Sequence, residues 1–146
     1  MQTTFSIGEV AQRFALPIST IRYYDKQELI PDLVKDPSGN RIFSQKNIAT
    51  IEMIQCLKLA GMQIKNIKIF IQWCLAGDAT LQLRKEMFEE LKVSLEQKMQ
   101  QLNDTLDEIN FKRAYYGKAV NDGTEKYVQE MSAAEVLAEH QLMKQL

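Results

Sequence analysis

Metal ligands are scarce in this chain: two cysteines, Cys56 and Cys74, and one histidine, His140, are all that its 146 residues provide. Their spacing matches no zinc, mercury, copper or iron–sulfur pattern, and two thiols are too few for a disulfide scaffold, so no metal and no cofactor is expected. No apolar run approaches the length of a membrane-spanning helix. The N-terminus also lacks the basic-then-apolar layout of a secretion signal, so the expectation is a cytoplasmic protein with no membrane partner. A Gly-rich phosphate loop and a nucleophile–base pair are both missing, which argues against an enzyme. Prolines number three, all before residue 38, and the stretch from residue 80 to 116 holds neither proline nor glycine.

What is present divides the chain unevenly. Its length allows one compact domain and one long element, not two ordinary domains. Residues 1–75 carry nine Lys/Arg against six Asp/Glu, a net of +3, whereas residues 76–146 carry nine against thirteen, a net of −4. A modestly cationic head on an acidic body suits a protein that meets nucleic acid at one end.

Ser6 and Glu9 have capping-box spacing, and Ile7, Val10, Ala11 and Phe14 form one apolar stripe, which predicts a helix over residues 7–14. Pro17 breaks it. Ser19 or Thr20 is expected to cap a second helix that ends near Gln27. Pro31 and Pro37 exclude helix from residues 30–43, where Ser38, Gly39 and Asn40 supply a turn between short strands containing Leu33, Val34, Ile42 and Phe43. A third helix is expected from Ser44 to about Ala60, apolar on most sides through Ile48, Ile51, Met53, Ile54 and Leu57. Gly61 ends it, and a fourth helix follows over residues 64–75, closed by Gly77 and Asp78.

From residue 80 to 116, Phe88, Leu95, Leu102, Ile109 and Tyr116 recur every seven positions, with Leu91, Met99 and Leu106 filling the second seam. That is a helix of more than about ten turns with a narrow apolar stripe. It is too long to bury that stripe on a small head, so pairing with a second copy is expected; an intramolecular hairpin would need a turn signal that the stretch lacks. After Gly117 a break is expected at Asn121, Asp122 and Gly123, and Ser132 with Glu135 has the spacing to start a short helix over residues 133–145. The domains are therefore read as 1–77, 78–117 and 118–146.

Two short helices followed by a hairpin are the layout of a winged helix-turn-helix DNA reader. Ser19 and Thr20 open the second helix, Arg22 is suited to a guanine edge or a phosphate, and Tyr23 to van der Waals contact. Tyr24 is expected either to reach a phosphate through its hydroxyl or to face the core. Lys35 and Arg41 flank the wing turn, and Lys58 lies near the end of the third helix.

The run Ile21-Arg22-Tyr23-Tyr24-Asp25, the Leu29-Ile30-Pro31 after it and the Ser38-Gly39-Asn40-Arg41 wing together resemble the MerR family of transcriptional regulators, over residues 6–116. Glu28 departs from the pattern, since the family usually has glycine where the recognition helix ends. The resemblance implies an all-α fold with a small β-hairpin wing and a homodimer joined by an antiparallel coiled coil of the long helices. Phe88, Leu91, Leu95, Met99, Leu102, Leu106 and Ile109 would form its seam. It further implies an inverted-repeat operator in double-stranded promoter DNA, which the regulator bends and untwists for RNA polymerase. Thr20, Arg22, Tyr23, Tyr24, Arg41 and Lys58 match the family's DNA-contacting positions, with Lys35 a weaker match.

Cys56 matches the lone cysteine of a MerR subgroup that responds to aldehydes and other electrophiles, where a thiolate would be the nucleophile. The competing expectation is structural: Cys56 shares a helix stripe with Ala49, Met53 and Ala60, where a small buried residue permits close packing. Cys74, beside Trp73, is expected in the core, with a resolving thiol as the alternative. Two alternatives stay open: the same DNA binding controlled by a small apolar effector near Trp73, Phe70 or the tail, and a coiled-coil adaptor with no DNA affinity.

Overall fold

The computed structural model describes residues 3–146. Strand β1 (Thr4–Ser6) leads into α1 (Ile7–Phe14) and α2 (Ile18–Lys26), then β2 (Val34–Lys35), β3 (Arg41–Ser44), α3 (Gln45–Leu59) and α4 (Ile64–Ala76). A 3₁₀ turn at Asp78–Thr80 precedes the long α5 (Leu81–Asp122), and a second at Val128–Glu130 precedes α6 (Ala133–Lys144). The chain divides into two compact units, one up to Leu91 and one from Lys92 on.

In the first unit, helix starts follow the capping chemistry written in the sequence. Ser6 accepts from the Glu9 amide and Glu9 reaches back to Ser6, while Ser44 and Asn47 form the same reciprocal pair at the head of α3. The cap of α2 differs from expectation: Pro17 occupies that position without a side-chain hydrogen bond, and α2 begins at Ile18. The Thr20 amide is instead satisfied by the Pro17 carbonyl at 3.0 Å, so neither Ser19 nor Thr20 is needed as a cap.

The wing strands gain a third partner. β3 lies between β2 and β1, antiparallel to both, with Phe5 opposite Phe43 and Lys35 opposite Arg41. β1 is only three residues long, too short to show an alternating pattern in the sequence. It matters to the site because it ties the start of α1 to the wing.

The core of this unit gathers Val10, Ile21, Tyr24, Leu29, Phe43, Ile48, Ile51, Ile54, Leu57 and Ile67, all essentially inaccessible. α3 supplies four of these, more than any other element, and is the central one, although its Met53 lies 36% exposed rather than inside. The junction into α5 is hydrogen-bonded: Thr80 Oγ1 contacts the Trp73 and Gly77 carbonyls, and Arg84 donates to the Gly77 carbonyl at 3.0 Å. Phe88 then meets Phe70 edge-on at 5.6 Å between ring centres.

In the second unit α5 does not stop at Gly117 but runs to Asp122, where Gly123 takes a φ of +70°. One helical glycine costs only about 1 kcal/mol relative to alanine, and flanking packing outweighs it. Ala114, Ala119, Val128 and Val136 form a small core with Phe111, Tyr115 and Met131 against it. The tail is thus folded onto the end of α5. Ser132 and Glu135 cap α6 reciprocally, and Lys118 pairs with Asp122 within α5 at 3.1 Å and with Glu139 of α6 at 3.3 Å. Hydrogen bonds donated to those carboxylates, Asp122 foremost, hold the Lys118 ammonium above its ordinary pKa.

Candidate nucleic-acid interface

The helical period of α2 sorts its residues into two faces. Ile21 and Tyr24 point into the core, whereas Ser19, Arg22 and Tyr23 face solvent and Thr20 lies half-buried between them. Among the described residues Arg22 has no hydrogen-bond or ion-pair partner. Tyr24 is not on the outer face: its ring is 1% exposed, and its hydroxyl receives hydrogen bonds from Gln55 Nε2 at 2.8 Å and Lys58 Nζ at 2.9 Å. Lys58 also stands 5.3 Å from the ring centre. Tyr24 therefore reads as a core residue whose polar tip reaches an otherwise cationic spot.

The wing turn is built around Asp36. Its carboxylate accepts from the Ser38 and Asn40 amides at 3.0 and 2.8 Å, and the Asp36 amide donates to the Asn40 carbonyl. Gly39 sits at a φ of +85°, the left-handed conformation that such a turn demands. Lys35 is exposed on the outer strand. Opposite it, Arg41 is half-buried because its Nε donates to Asp25 Oδ2 at 2.7 Å, joining wing to recognition helix. A cleft of about 470 Å³ opens beside this pair, lined by Thr4, Ser6, Arg22, Gly39, Asn40 and Arg41 among others. The two carboxylates on its wall, Glu9 and Asp36, are occupied by the α1 cap and the wing amides. Among the described residues Arg22 is the charged lining group left without a partner, and a cation there suits an anionic backbone.

A family model described as MerR HTH family regulatory protein matches residues 5–72. An uncharacterized HTH-type transcriptional regulator of Haemophilus influenzae is 34% identical over 125 residues, spanning 86% of this chain and 93% of that protein. The chain belongs to the MerR family. The MerR regulator HiNmlR, described as lacking the sensor domain and bound to promoter DNA, superposes with a TM-score of 0.78 at 33% identity, covering 85% of this chain and 98% of HiNmlR. A MerR-family regulator of Bacillus thuringiensis gives 0.70 at 40% identity, covering 77% and 98% respectively. AdhR of Bacillus subtilis is 34% identical over 82 residues, 56% of this chain and 59% of that protein. As a MerR protein, the chain is a DNA-binding transcriptional regulator and not an enzyme.

Other features of this MerR chain were not visible in its sequence. Asp25, Gln55 and Asp36 all fix groups at the interface, yet Asp25 is 16 residues from Arg41 and Gln55 is 31 from Tyr24, separations that no local pattern links. Both cysteines are free and exposed. Cys56 is therefore not the small buried residue that its stripe with Ala49 and Met53 suggested, and Cys74 is not core. Cys74 instead lines an apolar groove of about 340 Å³ with Pro31, Ala49, Met53, Phe70 and Leu75. Along α5, Leu95, Met99, Leu102, Leu106 and Ile109 all stand exposed, Leu102 at 70%, whereas Leu91 is half-buried against the first unit. Among the described residues no helix is long and apolar enough to cross a membrane.

Proposed function

We propose that the protein works as a homodimer whose two N-terminal units grip the halves of an inverted-repeat promoter operator. It activates by bending and untwisting that DNA so that RNA polymerase engages both promoter elements. The observation that carries this reading is the outer edge of α2, where Ser19, Arg22 and Tyr23 stand exposed beside the cationic wing of Lys35 and Arg41. Thr20 and Lys58 extend the same contact surface, while Tyr24 supports it from the core by accepting from Lys58. Deforming a duplex costs on the order of several kcal/mol, and two such surfaces acting together supply it. Footprinting upstream of the regulator's own gene tests the reading. A protected palindrome is expected, with Arg22→Ala weakening it by roughly 1–3 kcal/mol and relaxing base preference; no protection anywhere in that region would remove the proposal.

The signal is read as an electrophile that reacts with Cys56. Its thiol lies exposed on α3, within reach of a small aldehyde. The sulfur adds to the carbonyl carbon and the thiol proton passes to the carbonyl oxygen, giving a hemithioacetal. A second reading has its own observation: the apolar groove beside Met53, Phe70 and Cys74 is the right size for a small apolar effector. Promoter output from Cys56→Ser under aldehyde challenge separates them. Loss of induction supports the thiol, and an undiminished response leaves the groove.

A further inference from the structure

The Asp25–Arg41 pair links the recognition helix to the wing, yet it uses only one of the donors on the guanidinium. Nε of Arg41 is bound to Asp25 Oδ2 at 2.7 Å, and no described residue accepts from the two terminal nitrogens. No buried side-chain nitrogen or oxygen among the described residues lacks a partner, so neither terminal nitrogen is an orphaned buried donor. They lie on the wall of the cleft that Arg22 also lines. An arginine side chain held this way is only 17% exposed and is fixed at Nε, which leaves the four N–H groups of its planar end without an acceptor among the described residues.

We propose that Asp25 is a positioning residue for DNA binding: it sets the rotamer of Arg41 so that the terminal guanidinium edge presents to a single phosphate between wing and recognition helix. A carboxylate that orients a metal-bound histidine acts on the same principle, by fixing a group before the ligand arrives. The benefit is preorganisation, since a long cationic side chain otherwise loses rotamer freedom on binding. The inference rests on the operator-binding reading above and adds a role to a residue that touches no DNA.

The charge of Asp25 makes the proposal sharply testable, because simple electrostatics and positioning predict opposite signs. Removing a negative charge from a DNA-facing surface should strengthen binding, whereas a lost positioning contact should weaken it. The measurement is fluorescence anisotropy of the full-length protein on its footprinted operator across a salt series, with a thermal melt of each variant. Asp25→Asn is expected to bind about tenfold more weakly, the effect of losing one charge-assisted hydrogen bond. Its log–log salt slope should be shallower by about 0.9, the value of one phosphate contact. Arg41→Gln should show the same slope change, and the double variant should bind no more weakly than Arg41→Gln alone. Asp25→Glu, which keeps the charge, should recover part of the affinity. Equal or tighter binding by Asp25→Asn overturns the proposal, as does an additive double variant. A melting transition of Asp25→Asn below the assay temperature also overturns it, since the pair would then hold the fold rather than aim a side chain. Failure of the unaltered protein to bind any operator is a different result and removes the underlying reading.

Discussion

Up to Leu91 the chain closes a core of large apolar residues on itself, with Ile21, Leu29, Phe43, Ile48, Ile51 and Ile54 at zero exposure, although Leu59 and Leu75 stay outside it. From Lys92 on it buries two alanines and two valines, and leaves Leu95, Met99, Leu102, Leu106 and Ile109 in solvent. Both regions are mainly helical and neither lacks apolar residues, so composition does not explain the contrast. Arrangement does. Short helices meeting at angles close a core from all sides, whereas a 42-residue helix about 60 Å long presents a stripe that a single small unit cannot cover. A stripe left open in one region and a core completed in the other are what two copies of a chain need if they fold separately and then join.

The largest expected effect tests the self-sufficient region. Ile54→Ala leaves a cavity at the centre of α3 and should cost about 2–5 kcal/mol in urea unfolding. An equally large loss from Leu102→Ala at dilutions where the chain is monomeric would erase the contrast, because Leu102 is 70% exposed in a single chain. Leu102→Glu is the complementary test. Sedimentation should show a monomer, and the urea transition of the N-terminal unit should not move. Operator affinity should fall on the order of 10²-fold as the second binding event ceases to be intramolecular. A variant that remains dimeric would mean that the stripe serves some other surface.

The same contrast explains what could be read before folding. Local chemistry was legible: the Ser6–Glu9 and Ser132–Glu135 caps mark where α1 and α6 start, and the seven-residue recurrence marks α5. The period of α2 also implied that one of Tyr23 and Tyr24 faces inward. Only the fold says that it is Tyr24, because Gln55 and Lys58 arrive from α3 to meet its hydroxyl. Long-range pairing was not legible. β1 is too short to carry a pattern, and the Arg41–Asp25 contact depends on how the wing folds back over α2. The tail misled for a related reason: Gly117 looks like a stop, but the local cost of a helical glycine is smaller than the packing of Ala114, Ala119, Val128 and Val136 around it.

Helix ends give the finest version of the comparison and the smallest expected effect. α1, α2, α3 and α5 all stop in the same way, with a left-handed residue whose successor's amide bonds five residues back: Leu16 to Ala11, Leu29 to Tyr24, Met62 to Leu57 and Thr124 to Ala119. α3 and α5 place Gly61 and Gly123 at that position, but α1 and α2 place Ala15 at a φ of +51° and Glu28 at +61°. A side chain there is strained, so Ala15→Gly should stabilise the first unit by about 1 kcal/mol. Glu28→Gly should stabilise it less, because Glu28 also pairs with Lys68 at 3.1 Å, a largely exposed contact that contributes at most about 1 kcal/mol. Urea midpoints of both glycine variants, repeated in a Lys68→Met background, resolve the two terms. With Lys68 gone the two glycine gains should become equal, since strain alone then remains at each stop. If Glu28→Gly still lags behind Ala15→Gly in that background, the ion pair is not what offsets the strain at the end of the recognition helix.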